Sequence, residues 1–139
     1  MNIHNDIIIQ QEDNNMKITT FNPLIVSKDA ESIITLFEEL GFEKRHTPTV
    51  DTGDRRVTRT RMKDGNGFYV DISKVETIPR DMTAIRMNVD NFREAYDLLT
   101  THGFKKAPGI EEVDLETARA LLMVSPSGFA IEVIEHIKD

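Results

Sequence analysis

The sequence contains no cysteine. Disulfides, thiolate metal sites and cysteine nucleophiles are therefore excluded. Such a composition fits a reducing cytosol, so a cytoplasmic location is expected. Positive charge is also scarce: 17 Lys and Arg stand against 24 Asp and Glu, a net charge of −7. Sequence-independent phosphate binding needs clustered Lys and Arg, so nucleic acid is not expected as a partner. No apolar run approaches the roughly 20 residues that cross a bilayer, so no membrane span is expected. The 7 glycines form no phosphate-cradling loop. The H-E-x-x-H spacing of zinc proteases is absent, and so is a G-x-S-x-G nucleophile turn.

What remains is a chain of 139 residues, suited to one domain that buries a core without staples. Residues 1–15 carry Ile7-Ile8-Ile9 and then a polar run, Gln10 to Asn15. With no basic start and no small-residue cleavage site, they read as an N-terminal extension rather than a signal peptide. Ile7 to Ile9 could add an edge strand. Residues 16–139 are read as the single domain.

That domain repeats itself. A helical pattern ends at Leu40-Gly41-Phe42, and another ends at His102-Gly103-Phe104, 62 positions later. Gly67-Phe68-Tyr69-Val70-Asp71-Ile72 is echoed 61 positions later by Gly128-Phe129-Ala130-Ile131-Glu132-Val133. Two landmarks recur in the same order at nearly one offset, which marks a duplicated unit. Module one spans 16–74 and module two 82–137, joined by a linker containing Pro79. In the first helix Ile33, Leu36, Phe37 and Leu40 form an apolar stripe; in the second Phe92, Ala95, Tyr96 and Leu99 do so. Ser27 or Asp29 caps the first helix and Asp90 or Asn91 the second. Gly41 and Gly103 stand where a left-handed terminating residue is wanted. Strands are expected at 18–26, 42–50, 55–63 and 68–73, then at 82–89, 104–113, 119–124 and 129–136. Each helix thus follows one strand and precedes three. Asp64-Gly65-Asn66-Gly67 and Ser125-Pro126-Ser127-Gly128 supply matching turns. The fold class is α+β, two βαβββ modules, with a ferredoxin-like sandwich as the other arrangement of such elements.

The Gly-Phe after each helix and the run Ser125-Pro126-Ser127-Gly128-Phe129-Ala130-Ile131-Glu132 resemble the vicinal oxygen chelate superfamily, the glyoxalase/bleomycin-resistance/dioxygenase type. The resemblance covers residues 17–137. It implies curved mixed sheets around a cavity, a small-molecule ligand and a homodimer. It also implies a divalent metal held from the first and fourth strands of each module. Carried over singly, the fourth-strand positions fall on Glu132, which matches, and on Asp71, which is shorter than the usual glutamate. The first-strand positions fall on Phe21, or on Asn22 after a one-residue slip, and on Ala84. Phe21 and Ala84 offer no donor atom. Divalent catalytic sites in oxygen and nitrogen ligands use about three protein groups. No cofactor is therefore expected, with a weakly held Mg²⁺ or Mn²⁺ at Asp71 and Glu132 left open. The expectation is a binding protein with a degenerate metal site. The other reading is a metal-dependent lyase, isomerase or dioxygenase.

Further candidates for the ligand site are Tyr69, Arg59 and His46. If Asp71 faces the cavity, Tyr69 and Ser73 share its face. His46 lies on a strand able to line the cavity, although an exposed strand residue is the plainer reading. Arg55, Arg56, Arg59 and Arg61 make a basic strand in an acidic protein. A solvated outer face is the plainer reading; the functional one has them gripping an anionic ligand, since guanidinium forks carboxylate and phosphate. His102 suits a helix C-terminus, Ser127 suits a turn, and His4 and His136 lie off the site positions.

Overall fold

The computed structural model describes residues 16–46, 57–110 and 112–137, with backbone alone for His46 and Val57. The elements are β1 (Ile18–Ser27), α1 (Ala30–Glu39), β2 (Glu43–His46), β3 (Val57–Lys63), β4 (Tyr69–Val75), β5 (Met82–Val89), α2 (Phe92–Thr101), β6 (Lys105–Lys106), β7 (Val113–Asp114), β8 (Ala118–Val124) and β9 (Ala130–His136). The nine strands of the described residues form one mixed sheet in the order β2-β3-β4-β1-β5-β9-β8-β6, with β7 also on β8. Each module places its first strand parallel to its fourth: β1 on β4 and β5 on β9. The two first strands then pair antiparallel and make the sheet continuous. No helix among the described residues is long and apolar enough to cross a membrane.

Local chemistry explains the repeat. Asp29 accepts from the Ser32 amide at the start of α1, and Asn91 accepts from the Glu94 amide at the start of α2. Both helices end on a left-handed glycine, Gly41 at φ 103° and Gly103 at φ 88°. In each, the following phenylalanine amide reaches back into the helix, Phe42 to the Phe37 carbonyl and Phe104 to the Leu99 carbonyl. That doubly bonded ending satisfies carbonyls the helix leaves over. The turns match too. Asp64 Oδ1 accepts from the Phe68 amide, and Ser125 Oγ accepts from the Phe129 amide.

Both helices cover the same face of the sheet. Under α1 lie Met62, Val70 and Ile72; under α2 lie Met87, Val89, Leu121, Met123 and Val133. The stripe expected for α2 holds. The one expected for α1 is shifted: Ala30, Ile33, Ile34 and Phe37 face the core, while Leu36 and Leu40 are exposed. A helix with four apolar residues around Ile33 to Phe37 offers two overlapping stripes, and the one in line with buried Ala30 is the one that packs on the sheet.

A third cluster sits on the other face: Leu24, Val26, Val75, Ile78, Ala84, Ala107, Leu122 and Ala130. Ile78 and Ala107 reach it from connecting segments. The strand expected over 104–113 is in fact two short pairings, β6 and β7. Between them Pro108 lacks an amide to donate, and Gly109, at φ 80°, accepts from Thr77 Oγ1. This interruption lets Ala107 and Ile110 fold onto the sheet. The strand expected over 42–50 is found at Glu43–His46, after Phe42; residues 47–50, and all of 1–15, lie outside the described residues.

Candidate functional site: a buried arginine–carboxylate cluster

The face of the sheet away from the helices carries the charged residues. Strand alternation puts Val70 and Ile72 under α1, so Tyr69, Asp71 and Ser73 take the opposite side. On β3, Arg61 stands opposite Asp71 and Arg59 opposite Ser73, which brings both arginines to that side. On β1, Leu24 lies beside Asp71, and Asn22, two residues earlier, shares its face. Asn22 pairs across with Arg86 on β5, and Arg86 with Glu132 on β9.

These groups bond to one another. Asp71 is 0% exposed. Its Oδ1 accepts from Arg86 Nη1 at 2.9 Å and its Oδ2 from Asn22 Nδ2 at 2.6 Å. Arg61 Nη1 stands 3.8 Å from the same Oδ2. Arg86 Nε donates to Asn88 Oδ1 at 3.1 Å. Arg59 donates from Nε to Ser73 Oγ and from Nη2 to Glu132 Oε2. The Arg61 guanidinium lies 4.1 Å from the centre of the Tyr69 ring, and Lys63 Nζ lies 5.2 Å from it. Among the described residues, Glu132 Oε1 and Asn22 Oδ1 are buried without a hydrogen-bond partner.

Three guanidiniums thus surround two carboxylates, a local excess of positive charge inside an acidic protein. Burial pushes the Arg86 guanidinium below its ordinary value, and the Asp71 charge opposes that shift. Arginine stays protonated at neutral pH even so. The cluster is therefore a charged network held in place by mutual pairing.

Asp71, Glu132, Tyr69 and Arg59 all come to one face. Phe21 does not: it alternates to the other side and is 61% exposed, and Asn22 takes its place. His46 ends β2 with its backbone opposite Arg61. Ala84 is buried against Leu24 in the apolar cluster. The solvated-outer-face reading of the arginine strand fails for Arg59 and Arg61, which turn inward onto carboxylates. Arg86 and Asn88 were not anticipated. The signal for Arg86 is in the repeat itself: the offset of 62 maps it onto Leu24, so a charge stands where the first module keeps a core leucine.

Solved structures share the order and pairing of these strands and helices. Glyoxalase I from Zea mays superimposes with TM-score 0.61 at 12% identity, over 88% of this chain and 44% of that one. Methylmalonyl-CoA epimerase from Mycobacterium tuberculosis gives 0.60 at 12% identity, over 87% and 90%. A glyoxalase/bleomycin resistance protein/dioxygenase superfamily member from Vibrio splendidus 12B01 gives 0.54 at 14%, over 86% and 99%. This chain has the vicinal oxygen chelate fold. No protein-family model and no curated protein matches the sequence, and at these identities the likeness concerns the fold.

The metal which that fold implies does not fit the residues present. Each carboxylate already carries a guanidinium, and Asp71 has an amide on its remaining oxygen. Asn22 turns its nitrogen, not its oxygen, toward Asp71. Among the described residues no three His, Asp or Glu side chains converge as metal ligands would. A cation entering between Asp71 and Arg86 would meet like charge at hydrogen-bond range, and arginine cannot deprotonate to make way.

Proposed function

We propose that this vicinal-oxygen-chelate-fold protein binds a small organic molecule on its charged face, without a metal. The observation that carries the reading is Arg86, buried and bonded to Asp71 where metal-dependent chemistry would need that carboxylate free. Arg59 on Glu132 supports it at the other acid. The partial exposure of Arg59, Arg61 and Tyr69 leaves the site open to solvent from the β3 side. The absence of cysteine supports a cytoplasmic location. A homodimer is the assembly we propose, since closed two-fold pairs are the commonest arrangement.

Elemental analysis of purified protein, followed by titration with Zn²⁺, Ni²⁺, Mn²⁺ and Mg²⁺ while recording Tm, tests this. A ligand confined to the folded state raises Tm with its affinity. The expected result is no stoichiometric metal and no metal-dependent rise. Stoichiometric metal, lost in Asp71→Ala or Glu132→Ala, would overturn the reading in favour of a metal-dependent lyase, isomerase or dioxygenase.

A further inference from the structure

Resting on that reading, we infer the chemical class of the ligand: a small organic oxyanion with a hydroxyl or ammonium donor close to its charged group. Two independent features point to it, and they lie side by side.

The first is unspent positive charge. Arg86 and Arg59 are committed to Asp71 and Glu132 by hydrogen bonds. Arg61 is not. Among the described residues its one ionic contact is 3.8 Å, to an oxygen that Asn22 already occupies, and it forms no hydrogen bond to any of them. Lys63 shares the Tyr69 ring with it, and no described carboxylate pairs with that ammonium. Two cations over one ring repel each other, and the ring's quadrupole offsets this only in part. An oxyanion bridging them relieves the repulsion. The planar fork of Arg61 suits two oxygens at once.

The second feature is a pair of buried acceptors with nothing to accept. Asn22 Nδ2 contacts the Asp71 carboxylate and the Pro23 carbonyl, both acceptors. That fixes the nitrogen there and leaves Oδ1 as the free end. Glu132 Oε1 is free as well. Each unpaired buried acceptor costs stability, because its lost hydration is not made good. A hydroxyl or ammonium on the ligand would supply the missing proton donors. Arg61 and Asn22 meet the same Asp71 oxygen, so the cation and the free acceptor are neighbours. Having no hydrogen bond to break among the described residues, Arg61 can turn about its own stem to admit the ligand beside Asn22.

Tartrate and succinate make the test, because they share charge and chain length and differ by two hydroxyls. Binding is measured by calorimetry on the full chain, with inorganic phosphate and choline as further probes. Tartrate is expected to bind at least about tenfold tighter than succinate, since a site built around unpaired acceptors rejects the analogue lacking their donors. Arg61→Gln, partly exposed and expected to fold, loses at least about tenfold for both anions. Asn22→Ala, checked for an intact melting transition, keeps succinate binding and loses the preference for tartrate. Phosphate displacing tartrate supports an oxyanion site of either source. Choline binding with no anion binding overturns the inference while leaving a small-molecule site in place. No binding of any probe, in a preparation free of metal, overturns the inference alone. Stoichiometric metal overturns the reading beneath it.

Discussion

Arg86→Met is the substitution that weighs the charged cluster most directly. Methionine keeps part of the stem and removes the guanidinium. Asp71, fully buried, would lose its 2.9 Å partner and keep the Asn22 amide and the distant Arg61. Asn88 Oδ1 would lose its donor as well. Removing one member of a buried ion pair costs about 3–5 kcal/mol, because a buried charge is left uncompensated. Arg61 at 3.8 Å stands near enough to recover part of this, so about 3 kcal/mol is expected. For a chain of this length each kcal/mol moves Tm by roughly 3–4 °C, which gives a fall of about 10 °C. Urea denaturation and a thermal scan both read it. The double variant Arg86→Met with Asp71→Leu is expected to recover more than half of the loss, because replacing both charges by apolar groups avoids their desolvation. A single variant costing under about 1 kcal/mol, or a double variant whose cost is the sum of the singles, would refute the pairing.

Two further predictions concern the scaffold. Gly41→Ala and Gly103→Ala both force a side chain into the left-handed region, at a cost of about 1–2 kcal/mol each. An added Cβ at Gly41 meets nothing within 4 Å, whereas at Gly103 it comes 2.9 Å from Pro126 Cγ. Gly103→Ala is therefore expected to be the worse by roughly 1 kcal/mol in urea denaturation, and equal costs would show that Pro126 yields freely. Asp29 caps α1, and its hydrogen bond from the Ser32 hydroxyl holds its carboxyl below the ordinary 3.8. A lowered folded value means the contribution is complete above 3.8 and is lost as pH falls through the folded value. Asp29→Ala should be less stable than the parent at neutral pH, with the gap closing in acid. A gap independent of pH would remove the charged cap from the account.

The architecture was legible in the sequence because its signals are local and occur twice. The strand over Met82–Val89 and the Gly-Phe helix endings needed only nearest-neighbour chemistry. The two turns solve one geometric problem with different side chains, Asp64 and Ser125, and both belong to residue types that favour turns. The site was legible in part. Asp71 and Glu132 were visible because both halves keep an acid at the same strand position. Their partners were not, since register across neighbouring strands is set by the pairing of distant segments. Arg61 meets Asp71 through the Asp64 turn, but Arg86 meets it only through β1, which lies between them in the sheet. Phe21 against Asn22 was a question of strand phase, and a one-residue slip moves a side chain to the other face.

The two margins of the sheet share a property with consequences for assembly. One is β2, Glu43-Lys44-Arg45-His46; the other is carried by β6, Lys105-Lys106, and then by β7 after a break. Among the described residues both are short and studded with charge. An unpaired strand recruits a second chain by offering a long row of backbone donors and acceptors, and lysines on so brief a row discourage this. At these described margins, joining of copies sheet to sheet is thus disfavoured, and with it the runaway stacking that such joining begins. Exposed apolar side chains, with Phe68, Phe21 and Leu40 the most open among the described residues, then offer more to self-association than the backbone groups at the rim.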